Sequence, residues 1–316
     1  MKRTMNHVFA VLLVLTTGGR AVSFGAALSL AQQTKANESR TAAAPAIPRS
    51  VMFREVPGRG LVVRGWINSA GPFDFAVDTG AGAILLSPQA AAEAHVPISA
   101  GRASSIAGLS GVNTSAHEAS IRSLAIGDAE NFLPAKGLVM ITSGLPRGID
   151  GVLDPTEAFA PLGYVIDLPR HELSAFDARE LPLKLAAQPA DGAVVQWLRE
   201  GHGRRPFVQL DNGERALLDT GSNFGLAIRS QEPGNERVSD YSVRDVGGGR
   251  VSARRARPST VAVGSLTLRN TPTAVISGAE AEAPVVLGLS ALRPFRMRFD
   301  PVHHLIEIAP GQGRSR

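Results

Sequence analysis

The chain contains no cysteine, which removes disulfides, thiol nucleophiles and cysteine-ligated metals at a stroke. Aromatic residues are scarce, at only 5% of it. Its seven histidines lack the spacing of a metal site: His303-His304 reads as a turn, and His117 beside Glu118 as part of a strand. No Gly-x-Ser-x-Gly is present, and Gly247-Gly248-Gly249 lacks the strand-to-helix context of a nucleotide loop. Beyond the N-terminus no apolar run is long enough to cross a membrane as a helix.

What is abundant is turn-forming. The 316 residues include 33 glycines and 21 prolines, while 44% are hydrophobic and 19% charged, the composition of a soluble chain with a sizeable core and few long helices. The net charge is +5, but Lys2, Arg3 and Arg20 belong to the first 31 residues; without them 30 basic residues face 28 acidic ones. That balance is too mild to imply nucleic acid. The basic runs at 202–205 and 254–257 read as solvated loops or strand edges.

Lys2 and Arg3 followed by the apolar Val8 to Leu15 have the form of an export signal. Two small-residue exits follow, Ala21-Val22-Ser23 and Ser29-Leu30-Ala31, and cleavage after Ala31 is preferred because Gln32-Gln33 and a loose stretch come next. The expected organisation is a signal peptide over 1–31, a flexible linker over 32–50, an N-terminal lobe over 51–178, a connector over 179–204, a C-terminal lobe over 205–310 and a tail over 311–316. The mature chain is expected to be periplasmic or secreted, with no stable membrane span.

The lobes are read from a weak internal duplication. Phe73 to Ala81 parallels Arg215 to Ser222 around two Asp-Thr-Gly tripeptides, at an offset of 141. Leu124 to Gly127 then parallels Val261 to Gly264 at 137, Gly151 to Asp154 parallels Val285 to Gly288 at 134, and Tyr164 to Asp167 parallels Met297 to Asp300 at 133. Four matches in one order with a slowly drifting offset are what two copies with small loop deletions produce. Each copy reads as strands. Phe207 to Leu210 and Arg215 to Leu218 flank Asp211-Asn212-Gly213 as a hairpin. Leu61 to Ile67 and Phe73 to Val77 flank a turn at Ser69 to Pro72, and Arg298 to Asp300 pairs with Leu305 to Ile308 as a closing hairpin. Short helices start at Ser87-Pro88, with an N-cap and a proline at the first position, and at Asp154-Pro155-Thr156-Glu157, a capping-box variant. The connector has room for a strand at Val194 to Leu198.

An Asp-Thr-Gly tripeptide is expected about once in several thousand positions. One copy alone reads equally as a strand-ending turn whose carboxylate caps backbone N–H groups. Two copies at equivalent places point instead to a pair of carboxylates brought together by pseudo-twofold symmetry. Such a pair cannot ionise twice cheaply and holds one proton in common, which lets it act as base and acid in turn.

These residues resemble the aspartic peptidases, pepsin-like in carrying two lobes on one chain and retropepsin-like in their compact motifs. Val77-Asp78-Thr79-Gly80-Ala81 and Leu218-Asp219-Thr220-Gly221-Ser222 are similar to that family's catalytic loops, and Val286-Leu287-Gly288 to its downstream apolar-apolar-glycine segment. The resemblance implies an all-β acid-protease fold: two β-barrel-like lobes related by a pseudo-twofold axis, a few short helices and a cleft between. It implies catalysis by Asp78 and Asp219 on a peptide or protein substrate, without metal or organic cofactor, by a monomer. Thr79 and Thr220 would cross-brace the loops, Gly80 and Gly221 would donate N–H groups to the carboxylates, and Ser222 would bond the outer oxygen of Asp219 where the first copy has Ala81. A flap is expected over Gly101 to Glu118, with Gly108 and Gly111 near its tip, and Gly247 to Gly249 is expected to tip a facing hairpin. The sequence departs from the pattern where Asp154 replaces the first lobe's glycine and where the flap lacks an aromatic. Asp154 reads as the N-cap of the helix that follows. The departures keep a second reading open, a catalytically silent relative that binds peptides or proteins; a two-carboxylate glycosidase leaves the threonines and glycines without a purpose.

Overall fold

The computed structural model describes residues 46–311 apart from 99–102, 136, 201–202, 230–240, 247, 278 and 280–282, together with Val8–Ala10 and Val14–Leu15. The remainder of the expected signal peptide, linker and tail lies outside the described residues, as do Gly101 of the flap and Gly247 of the facing hairpin. Val8–Ala10 pairs with Tyr241–Asp245 and Val14–Leu15 with Ser104–Ala107.

The duplication read from sequence is a duplication of topology. In the first half the strands lie side by side in the order Gly60–Ile67, Ala70–Val77, Gly151–Leu153, Leu85–Leu86, Gly137–Ile141, Asn113–Ile121, Ser104–Ala107. In the second the order is Gly203–Gln209, Arg215–Asp219, Val285–Gly288, Leu226–Arg229, Thr273–Ser277, Arg250–Arg255, Tyr241–Asp245. Directions match as well as order. The strand ahead of each Asp-Thr-Gly runs parallel to the later strand beside it, Val77 against Leu153 and Leu218 against Leu287. A third, six-stranded sheet draws on both ends of the chain, in the order Ala193–Gln196, Leu305–Pro310, Phe295–Asp300, Gly163–Asp167, Glu172–Phe176, Val51–Met52. There Tyr164 stacks on Phe299 with ring centroids 4.5 Å apart, and Trp197 meets Phe299 edge-on at 6.0 Å. Three of the chain's few aromatics are thus spent on the seam between its halves, in one continuous apolar core.

Most expected elements form where the sequence places them. Phe207 pairs with Leu217 around Asp211 to Gly213, the closing hairpin pairs Phe295–Asp300 with Leu305–Pro310, and the connector supplies Ala193–Gln196 and Leu198–Glu200. Helix α1, Pro88–Glu93, is capped by Ser87, whose hydroxyl accepts the Ala90 N–H at 3.1 Å. Helix α2, Pro155–Ala158, is capped by Asp154. Two details differ. The first hairpin turns at Asn68-Ser69 rather than over Ser69 to Pro72: both residues take positive φ, 50° and 72°, and Ile67 already pairs with Ala70. Asn tolerates that left-handed backbone, and a two-residue turn of this hand suits the strand twist. A short helix the sequence does not signal, α3 over Leu289–Leu292, has no side-chain cap; the Ser222 carbonyl accepts the Leu289 N–H instead, at 2.7 Å.

Candidate active site

Each Asp-Thr-Gly follows a strand whose preceding residues are fully buried, so the aspartates are delivered into the protein between its halves: Asp78, Thr79, Asp219 and Thr220 are all 0% exposed. The two turns interlock through their threonines. Thr79 Oγ1 donates to the Leu218 carbonyl at 2.6 Å and accepts the Thr220 N–H at 3.1 Å. Thr220 Oγ1 donates to the Val77 carbonyl at 3.0 Å and accepts the Thr79 N–H at 3.1 Å. Four hydrogen bonds, reciprocal to the atom, tie one half to the other in a place water does not reach, where each lost partner would leave a buried polar group unpaired.

The glycines bring the carboxylates in. Gly80 N–H donates to Asp78 Oδ1 at 2.7 Å and Gly221 N–H to Asp219 Oδ1 at 2.8 Å. Each glycine also faces the other aspartate. A Cβ on Gly80 would lie 2.8 Å from Asp219 Cγ, and one on Gly221 would lie closer still to Asp78 Cγ, so only glycine allows the approach. The inner oxygens are thereby satisfied. The outer ones, Asp78 Oδ2 and Asp219 Oδ2, are buried and receive no donor from the protein, yet the two side chains lie within hydrogen-bonding reach of each other. A proton shared between them would supply what the protein withholds.

The electrostatics agree. Burial pushes the Asp78 carboxyl well above the usual range, and the neighbouring Asp219 carboxylate pushes it further, with a smaller contribution from Asp154. Burial also raises Asp219; the hydrogen bond with Asp78, the Gly221 and Ser222 N–H groups and the Arg205 charge oppose that rise. The two groups titrate as one unit, and burial together with their mutual proximity raises that unit above the usual carboxylate range.

Ala81 is fully buried behind the first turn. Ser222 is fully buried too, but its hydroxyl accepts the Phe224 N–H at 3.3 Å rather than bonding the outer oxygen of Asp219, and it is the Ser222 backbone N–H that reaches the Asp219 carboxyl. Asp154 accepts the Thr156 N–H at 2.8 Å as an N-cap.

The expected flap is the hairpin Ser104–Ala107 with Asn113–Ile121, and its tip meets the tip of Tyr241–Asp245 with Arg250–Arg255. Ser110 N–H donates to Asp245 Oδ2 at 2.7 Å, and Gly108 lies so close against the Asp245 carboxyl that a side chain would not fit. Gly111, at φ +71°, turns the chain back to bond the Gly108 carbonyl at 3.0 Å. The tips also trade side chains. Leu109 of the first half joins a buried cluster with Phe207, Leu217, Phe224 and Val243 of the second. Val246 of the second half joins Val62, Ile106, Ala116 and Met140 of the first.

Sequence reasoning misses this exchange, the buried Asp245, and Arg205. The basic run 202–205 reads as solvated; Arg205 is instead 9% exposed, its side chain beside Gly82 of the first catalytic-type loop and ion-paired to Glu200. Its Nη1 is buried without an acceptor.

Residues 63–153 match a family model described as aspartyl protease. The matched stretch holds the first Asp-Thr-Gly and ends just before Asp154; the second lies outside it. No curated protein matches the chain. The mainly-β architecture, with three short helices among the described residues, is an acid-protease fold.

Proposed function

We propose that the protein is an aspartic endopeptidase in which Asp78 and Asp219 activate water for attack on a peptide bond. The observation that carries the reading is the meeting of two Asp-Thr-Gly turns, 141 residues apart, through reciprocal threonine hydrogen bonds, with two outer carboxyl oxygens left without a donor. A water held between those oxygens would lose a proton to the ionised carboxylate as its oxygen attacks the carbonyl carbon. The protonated partner would give its proton to the carbonyl oxygen, forming a neutral gem-diol. As the C–N bond breaks, the protonated carboxyl would give its proton to the nitrogen while the ionised one takes a proton from a diol hydroxyl, releasing amine and carboxylic acid and regenerating the singly protonated pair. Two aspartates sharing one proton are the established pattern of aspartic peptidases, so the chemistry follows a known template and is not new to this chain.

In this reading residues 51–178 and 205–310 are the two lobes, and the substrate lies extended between the dyad and the paired hairpin tips. Because one chain supplies both aspartates, a monomer suffices. The N-terminal pattern supports export, with the mature enzyme periplasmic or secreted.

The test is cleavage of a diverse peptide mixture by the chain from residue 32 onward, across acid to neutral pH, with and without pepstatin. Asp78→Asn and Asp219→Asn should each lower turnover by at least ~100-fold, since either removes the acid–base pair. Peptide binding without cleavage, untouched by either substitution, would establish the silent binding relative in its place.

A further inference from the structure

We propose that Asp154 is a positioning residue for the Asp78–Asp219 pair: its buried carboxylate holds the shared proton on Asp78 and so extends the singly protonated state of the pair toward the alkaline side. The inference rests on the peptidase reading for its consequence in turnover, but not for its geometry.

Capping alone does not account for this side chain. The N-cap needs one acceptor, and Oδ1 fills it by taking the Thr156 N–H; asparagine or serine would do the same without a charge. Oδ2 is buried without a hydrogen-bond partner in a residue that is 0% exposed, and the Thr156 and Glu157 N–H groups and the Thr156 hydroxyl only partly offset the cost of burying the carboxylate. An orphaned carboxyl oxygen in the interior is costly to keep. Its place in the fold gives the cost a purpose. Asp154 directly follows Leu153, whose carbonyl accepts the Asp78 N–H at 3.0 Å, and Leu153 is the register partner of Val77. The two carboxyl groups thus sit at the ends of adjacent parallel strands. The equivalent strand in the second half ends in Gly288, opposite Asp219. A Cβ there would meet the carbonyl oxygens of Ser222 and Phe224 at 2.6 Å, so the second half has no room for such a group and the first half carries it alone.

The charged and titratable groups around Asp154 come from four elements. Glu157, on its own helix, carries like charge and is drawn aside by Arg204 of the strand Gly203–Gln209 at 3.6 Å. Asp78, at the end of Ala70–Val77, is raised slightly by the Asp154 charge. Tyr164, from Gly163–Asp167, bonds Thr156 Oγ1 at 3.0 Å, and its hydroxyl stays protonated because burial, and then Asp154, push it above its ordinary value. Burial, and then the Glu157 charge, raise Asp154 itself to about 7. It is therefore neutral in acid, where the pair needs no help to hold its proton. It becomes negative near neutrality, and there its charge adds to burial and the Asp219 charge in holding the pair's proton.

The experiment follows the aspartate side-chain carboxyl carbons by NMR from pH 4 to 9 in the unmodified chain, Asp154→Asn and Asp154→Ser, both of which keep a capping oxygen and lose the charge. In the unmodified chain the Asp78 resonance should show a second inflection at the pH where Asp154 ionises. In both variants that inflection should vanish, and the upper titration of the pair should fall by about one pH unit, as loss of one nearby like charge predicts. The alkaline limb of the peptide-cleavage profile should move with it while the acid limb stays. An Asp78 resonance blind to Asp154 in the unmodified chain would overturn the inference even if neither variant folds. So would an upper titration unchanged by substitution, or variants that lower turnover equally at every pH. A chain that shows the coupling but cleaves nothing would leave Asp154 in its role and remove the peptidase reading.

Discussion

The two halves of this molecule share a strand order, a pair of threonine braces and a pair of carboxylate-facing glycines, and differ in which charge each places against its own aspartate. Around Asp78 the first half sets a carboxyl, Asp154. Around Asp219 the second half sets a cation, Arg205. Mate positions show how each half excludes the other's choice. Asp154 corresponds to Gly288, where carbonyl oxygens fill the space. Arg205 corresponds to Gly60, because Phe207 pairs with Leu217 as Val62 pairs with Ala76; Gly60 has φ +76° and strains any other residue. Symmetry builds the frame that brings two acids together. Its breaking sets a negative group near one of them and a positive group near the other.

The largest effect should come from disturbing the symmetric part. Gly80→Ala and Gly221→Ala each drive a methyl into the opposite carboxyl group. Each should abolish cleavage by at least ~100-fold by separating the acid from the base. Gly221→Ala should be the worse of the two, since its contact is the closer. Measuring kcat for both beside thermal unfolding checks the comparison. Retained turnover in either would mean that the two turns do not work as mates.

Much of this frame is legible in the sequence because duplication writes itself twice. Asp-Thr-Gly at two equivalent sites, the apolar pairs before each, and the drifting offsets locate both catalytic-type turns, both tip hairpins and the closing hairpin. What does not show is whatever depends on one half touching the other. Arg205 looks like the end of a solvated basic run, because nothing local reveals that Gly82 of the opposite half will cover it. Leu109 and Val246 look like ordinary tip residues, because their burial is supplied by clusters distant in sequence. Helix α3 leaves no trace since its cap is a backbone carbonyl, and the Ser222 hydroxyl cannot be assigned without knowing that Phe224 N–H competes for it.

An intermediate effect should follow from the exchanged tips. Leu109→Ala leaves a hole in the second half's cluster and should cost about 2–4 kcal/mol, with Val246→Ala costing somewhat less for its smaller side chain. Each substitution empties a site in the opposite half. Hydrogen exchange should therefore rise at Phe224 to Ile228 for Leu109→Ala and at Ile106 and Met140 for Val246→Ala. Faster exchange confined to the mutated half would break the reciprocity.

The smallest effect, and the one that bears most directly on the broken symmetry, belongs to Arg205. Its charge opposes the burial-driven rise of Asp219 and is not among the leading causes of the Asp78 shift, while its pairing with Glu200 blunts it. Arg205→Met keeps much of the stem that lies beside Gly82 and deletes the cation. Asp219 should then hold a proton to higher pH, so the doubly protonated, inactive pair persists further and the acid limb of kcat/KM moves up by less than about one unit. Asp154→Asn should move the other limb, and in the other direction. The two substitutions narrow the active range from opposite sides, and a double variant should show both shifts nearly unreduced, because the groups act on different members of the pair. Arg205→Lys, which restores charge, should return the acid limb part of the way. A shift of the alkaline limb in Arg205→Met would mean instead that the cation acts on the pair as a whole, and that the proton has no preferred aspartate.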